Sequence, residues 1–208
     1  MVRRAALLSA VFILRGSQIA HAAAPDSGPL ALDVEGQLGW LQGSHSGGVD
    51  LGATARLRYG ILTAGASIQG ATILFGSMGS VSGVAGLSLP VEFIRLDALA
   101  EFGLNAYSGV GSNFLSNDPG VRATLPFAGF RTSLLACVFR NARGGSVWLG
   151  PSVQYAKDLY STTRTYTYRD QGESGFSGEY YDRLVTNTVR VGQSRFSILA
   201  TVSTTIPL

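Results

Sequence analysis

Residues 96–107 read Leu-Asp-Ala-Leu-Ala-Glu-Phe-Gly-Leu-Asn-Ala-Tyr. Leu96, Ala98, Ala100, Phe102, Leu104 and Ala106 are apolar, and Asp97, Glu101, Asn105 and Tyr107 lie between them. Successive side chains of a strand point to opposite faces. A period of two therefore predicts a β-strand with one apolar and one wet face. The pattern recurs along the chain, with turn residues between copies and no helix-period segment to interrupt it.

Working outward from this stretch, strands are predicted at Leu30–Leu41, Val49–Tyr59, Ile61–Thr72, Val81–Phe93, Leu96–Tyr107, Phe127–Arg140, Ser146–Asp158 and Ser194–Leu208. In each, apolar residues hold one parity and polar residues the other. On the second strand, for example, Leu51, Ala53, Ala55 and Leu57 oppose Asp50, Thr54, Arg56 and Arg58. Connections of alternating length join these strands, the odd ones longer than the even ones. Weak alternating segments with short turns at one end and longer loops at the other are the signature of a transmembrane barrel. The expected fold is all-β: a closed antiparallel transmembrane β-barrel of eight strands. Ten strands is the alternative, if Val121–Phe139 splits near Ala128-Gly129 and Leu184–Val191 counts separately. A soluble lipocalin-like barrel has the same alternation with the faces exchanged.

The first residues carry a different pattern. Arg3 and Arg4 precede an apolar core of ten residues, Ala5–Leu14, too short to span a bilayer, and Ala20-His21-Ala22 fits a small-x-small cleavage site. Met1–Ala22 is read as a signal peptide and Ala23–Leu208 as one barrel domain. Removing Arg3, Arg4 and Arg15 leaves the basic and acidic residues balanced. The net charge of +3 therefore belongs to the leader and does not argue for nucleic acid. Cys137 has no second cysteine to pair with, and is expected to pack as a small hydrophobe. Only 14% of residues are charged, which suits a barrel in lipid.

The wet faces point into the lumen on this reading. They carry Asp33, Glu35, Glu92, Asp97 and Glu101 with Arg56, Arg58, Arg131 and Arg195. An eight-stranded barrel is just wide enough for side chains to fill, so these charges are expected to pair across it. Aromatic girdles are expected from Tyr59 and Phe93 at one end and from Trp40, Tyr107 and Tyr155 at the other.

The final segment alternates too. Phe196, Ile198, Ala200, Val202, Ile206 and Leu208 share one parity, with Thr204 the one polar residue in that row. It resembles the C-terminal strand of outer-membrane proteins, which the barrel-assembly machinery recognises, although Leu208 stands where that pattern usually has phenylalanine. In architecture the chain resembles the small outer-membrane barrels of the OmpA and OmpX type. That resemblance implies location in the outer membrane of a diderm bacterium, contact with outer-membrane lipid, and a role in anchoring, surface interaction or a narrow plugged channel. It implies no residue-level role.

Chemistry is sparse. His45, in Gly43–Gly48, has Ser44, Ser46 and Asp50 nearby, the residue types of a lipid-modifying hydrolase. A Gly/Ser-rich segment is the usual composition of a solvated loop, and sequence neighbours seldom form a triad. No catalytic, metal or cofactor site is assigned. The segment Leu159–Gln193 is richer. It holds five of the eight tyrosines, and Thr163, Thr165 and Thr167 alternate with Arg164, Tyr166 and Tyr168. A β-hairpin is predicted that prolongs the last two barrel strands outside the membrane. Tyrosine and arginine favour interfaces, so Tyr166, Tyr168, Arg169, Tyr180 and Tyr181 are the candidate surface-binding residues. The expected function is a non-enzymatic barrel that presents surface loops for envelope stabilisation or for an unknown partner. A narrow pore and the hydrolase are the alternatives.

Overall fold

The computed structural model describes residues 30–43, 47–73, 76–110, 112, 118–173 and 180–208. Met1–Ala22, read as a signal peptide, and the Ser44-His45-Ser46 segment lie outside the described residues. The strands are β1 (Leu30–Gly43), β2 (Gly47–Tyr59), β3 (Leu62–Ile73), β4 (Gly76–Val91), β5 (Ile94–Val110), β6 (Val121–Arg140), β7 (Ser146–Asp158), β8 (Thr162–Glu173), β9 (Tyr180–Val191) and β10 (Ser194–Pro207).

Eight of them close on themselves in the order β1-β10-β7-β6-β5-β4-β3-β2, every pair antiparallel. Closure runs from Ala31 opposite Pro207 to Gly43 opposite Arg195. It leaves no strand edge in the wall, as a bilayer demands. Val121–Arg140 is one strand, so the wall has eight strands and not ten.

The polarity is inside-out. Leu57, Leu96, Phe102 and Val202 are exposed on the outer face, Phe102 at 62%, whereas Asp33 and Arg95 in the lumen are at 0%. A band of large exposed apolar side chains encircles all eight strands. In water such a continuous surface would drive association; in a bilayer it is the lipid-facing belt. The lipocalin-like arrangement, with apolar residues inward, is excluded. The narrow wall also needs tight curvature. Gly39 sits in the inward row of β1, where a Cβ would come 2.0 Å from the Ile198 carbonyl oxygen of β10. Glycines at such positions let strands bend around a small lumen.

Two expectations about the loops are corrected. β1 ends at Gly43 and β2 begins at Gly47, and β3 ends at Ile73 and β4 begins at Gly76, so both connections are shorter than expected, because β2 and β4 begin earlier than the apolar pattern suggests. Glycine and serine there dilute the hydrophobic signal without breaking the ladder. The long segment does not prolong the barrel strands either. β8 and β9 form a separate two-stranded sheet. Gly192 at φ +119 breaks the run between β9 and β10, and a Cβ there would meet the Ser161 Cα at 2.8 Å. This close approach fits only glycine, and it turns the hairpin away from the wall.

Candidate functional site

The lumen is built in layers. Inward parity on β1 delivers Asp33, Glu35 and Gln37, on β2 Thr54, Arg56 and Arg58, on β5 Arg95, Asp97 and Glu101, and on β6 Arg131. Glu35 is the hub. Its carboxylate pairs with Arg56, with Arg95 at 3.1 Å and with Arg131 at 3.3 Å. Asp97 takes Arg56 at 3.0 Å and Arg95 at 3.2 Å, and accepts from Ser88 at 2.6 Å. Asp33 holds Arg58 at 3.3 Å and Arg95 at 3.4 Å. Glu101 faces Arg131 at 3.6 Å and accepts from Gln154 at 2.6 Å. Guanidinium suits this role because its planar fork serves several carboxylate oxygens at once.

Nearer the β8–β9 end, Asp50 accepts from Gln69 and Ser197, each at 2.8 Å. The acid once considered with His45 is therefore committed to the lumen. Asp158 accepts from Tyr107 at 2.6 Å and from the Gln193 backbone N–H at 2.9 Å. Tyr107 thus points inward and is no part of a girdle. Tyr59, Phe93 and Trp40 are exposed on the outer face, and Tyr155 packs on Phe130 with ring centroids 5.8 Å apart. Arg195 is buried 4.5 Å from the Phe127 ring centroid, and its guanidinium nitrogens have no hydrogen-bond partner among the described residues.

Of the sequence-derived lumen charges, Glu92 is misplaced. β4 ends at Val91, and Glu92 occupies the following turn at φ +49 with its side chain exposed. Parity holds only while the ladder continues. Arg95 is the residue the sequence reading missed. It shares parity with Asp97 and Glu101, but the strand is expected to begin at Leu96 where β5 begins at Ile94, so Arg95 is counted as turn. Asp158 lies inside the expected strand Ser146–Asp158 and on its inward parity, but is not named among the lumen charges.

Above the polar layers, Leu41, Met78, Tyr107, Val121, Leu125 and Val191 form a buried apolar cluster across the mouth. Val191 belongs to β9, and Tyr166 and Val189 of the hairpin pack on the same cluster. The hairpin is also clamped to the β5–β6 connection. Asp118 accepts from the Tyr166 hydroxyl at 2.7 Å and from Asn187 at 3.0 Å, and is itself fixed by the Gly120 N–H at 2.9 Å. Desolvation in this contact, then the hydrogen bond to Asp118, raise the Tyr166 pKa above the usual tyrosine value.

The surface-binding candidates divide between the two hairpin faces. Tyr166 and Tyr168 are half-buried and stacked, centroids 6.2 Å apart, on the face toward the barrel. Arg169 is exposed on the opposite face and pairs with Asp182 at 3.2 Å. Tyr180 and Tyr181 stand opposite Glu173 and Gly172 in the register; their side chains lie outside the described residues. That outer face was not singled out by the sequence reading. It carries Thr163, Thr165, Thr167, Thr186 and Thr188, with hydroxyl pairs Thr165–Thr188 and Thr167–Thr186 each at 3.0 Å.

With the closed wall, the apolar belt and the filled lumen established, comparison with solved structures is informative. Neisserial surface protein A matches at a TM-score of 0.52 and 12% identity, over 87% of this chain and 98% of that one. The fold is that of an outer-membrane β-barrel. The β domain of the Bordetella autotransporter Brka aligns at a TM-score of 0.39 and 11% identity, over 86% of this chain and 98% of that one. The translocator domain of the autotransporter NalP from Neisseria meningitidis aligns at 0.31 and 12%, over 97% of both chains. No protein-family model and no curated protein sequence matches the chain.

Proposed function

We propose that the protein is a non-enzymatic outer-membrane barrel whose working part is the β8–β9 hairpin, held outside the cell to engage a surface partner. On this reading the Gly60, Glu92 and Ala142 turns face the periplasm. Met1–Ala22 is removed on export, and the last strand is read by the barrel-assembly machinery.

One observation carries the reading. The hairpin forms a sheet of its own, yet Asp118 and the apolar cluster fix it over the mouth. A connection needed only for closure would not require twelve-residue strands clamped in this way. Among the described residues, the threonine face is exposed and no further strand pairs with either edge of the hairpin. Preorganised elements of this kind bind with little ordering cost. The filled lumen favours a scaffold over a solute pathway, since the ion pairs on Glu35 cross it.

The test replaces residues 159–193 by a short turn. The shortened chain is expected to insert and to resist heat and detergent as a folded barrel, because wall pairing is untouched. The full chain is expected to bind whole cells or matrix, and the shortened chain, measured beside it, to lose that binding. A shortened barrel that folds and still binds would place the binding element elsewhere.

A further inference from the structure

At the turn end of the barrel, the outer surface is not smooth. The β7–β10 ladder stops at Thr205 opposite Ser146, while β10 continues through Ile206 and Pro207 paired only with β1. The Arg140–Ser146 connection stands across from this overhang. Between them lies a groove of about 330 Å³. Its wall includes Phe139, Val147 and Ile206, and its rim Asn141 and Arg143. Phe139 and Ile206 are part of the exposed apolar belt. The groove also contains Thr204, the polar residue that interrupts the apolar row from Phe196 to Leu208.

We propose that this groove seats one anionic phospholipid, with an acyl chain along Phe139, Val147 and Ile206 and the headgroup phosphate on Arg143. Two features point to this occupant. The groove lies where the apolar belt meets the polar rim, the depth at which a phospholipid changes from chain to headgroup. Its polar lining is Asn141 and Arg143 of the connection with Ser146, Thr204 and Thr205 of the strands, and Arg143 is the charged group among them, a cation that complements a phosphate. Arginine recognises phosphate through parallel N–H donors. Thr204 places a hydroxyl in an otherwise apolar row, and an ester carbonyl in the groove is a hydrogen-bond acceptor for it.

The proposal rests on the turn end facing the phospholipid leaflet, but its test does not involve the hairpin. The full chain is extracted from membranes, exchanged into micelles containing equal phosphatidylglycerol and phosphatidylcholine, and examined by native mass spectrometry. One phosphatidylglycerol adduct is expected to persist at collision energies that strip phosphatidylcholine, with at least a severalfold preference. R143Q is expected to abolish the preference, and T204V to weaken retention of both lipids. R122Q, an arginine exposed at the other end of β6, is expected to leave both unchanged. Equal retention of the two lipids by the unmodified chain, or a preference that survives R143Q, would overturn the proposal. Loss of hairpin binding with retention of the adduct would separate this site from the surface role.

Discussion

Glu35 on β1 and Arg131 on β6 meet at 3.3 Å across the lumen, although β1 pairs only with β2 and β10. The contact spans the barrel, and Arg95 of β5 makes a second one to the same carboxylate. Three guanidinium groups therefore depend on one acid. Removing one partner of a buried ion pair leaves an uncompensated charge, which costs roughly 3–5 kcal/mol. Glu35→Gln is expected to lower the unfolding free energy of the barrel in lipid vesicles by an amount of that order. A denaturant titration of the variant beside the parent chain checks this. A loss of no more than about 0.5 kcal/mol, the usual range for surface changes, would mean the network contributes little.

Arg195 is expected to behave in the opposite sense. Its nitrogens lack hydrogen-bond partners among the described residues, and its stacking on Phe127 offsets only part of the desolvation cost. A buried charge without hydrogen bonds is costly, and a hydrocarbon of similar volume removes that cost. Arg195→Met is expected to leave stability unchanged or raised, while Arg56→Met lowers it. The two variants, unfolded under identical conditions, give the comparison. A larger loss for Arg195→Met would show that this guanidinium is better satisfied than Arg56.

The contrast between Glu92 and Arg95 shows what the sequence could convey. Alternation alone separates the two faces of all eight wall strands, because side-chain direction in a ladder is fixed by parity. It assigned Asp33, Glu35, Arg56 and Asp97 to one side without any contact information. It fails where the ladder stops, because a turn residue has no parity. Glu92 and Arg95 lie on either side of one such turn, and each was assigned wrongly. The partners of Glu35 were not legible either, since they sit on β2, β5 and β6 and depend on closure and stagger. The separate hairpin sheet follows from a backbone break at Gly192, which a lone glycine does not announce.

The exposed position of Glu92 gives a plain expectation. Glu92→Gln should change stability by no more than about 0.5 kcal/mol, as for surface substitutions generally. A loss comparable with that of Glu35→Gln, in the same titration, would return Glu92 to the lumen.

Hairpin docking is expected to depend on alkaline pH. The Tyr166 pKa is raised in the folded protein, by desolvation first and then by the bond to Asp118. A group with a raised folded pKa contributes stability that is complete below its unfolded value and is lost as pH rises through the folded value. Amide exchange across β8 and β9, corrected for its intrinsic pH dependence, should therefore show protection falling at strongly alkaline pH and not near neutrality. Tyr166→Phe should remove this transition and lower protection at neutral pH, leaving β1–β7 unchanged. Protection that is flat with pH in the unmodified chain would remove Tyr166 from the clamp.

The inside-out wall underlies every other statement, and β5 tests it most directly. In a Cys137→Ser background, single cysteines at positions 96 to 102 and at 104 are spin-labelled in the barrel reconstituted into vesicles; Gly103 is left out because a Cβ there would meet the Val81 carbonyl oxygen at 2.1 Å. Collision rates with oxygen, which concentrates in lipid, are compared with those of a water-soluble nickel chelate. Positions 96, 98, 100, 102 and 104 are expected to favour oxygen strongly, and positions 97, 99 and 101 to be shielded from it, giving a period of two along the strand. Uniform accessibility to the nickel chelate, or the opposite phase with 97 and 101 in lipid, would contradict the transmembrane barrel.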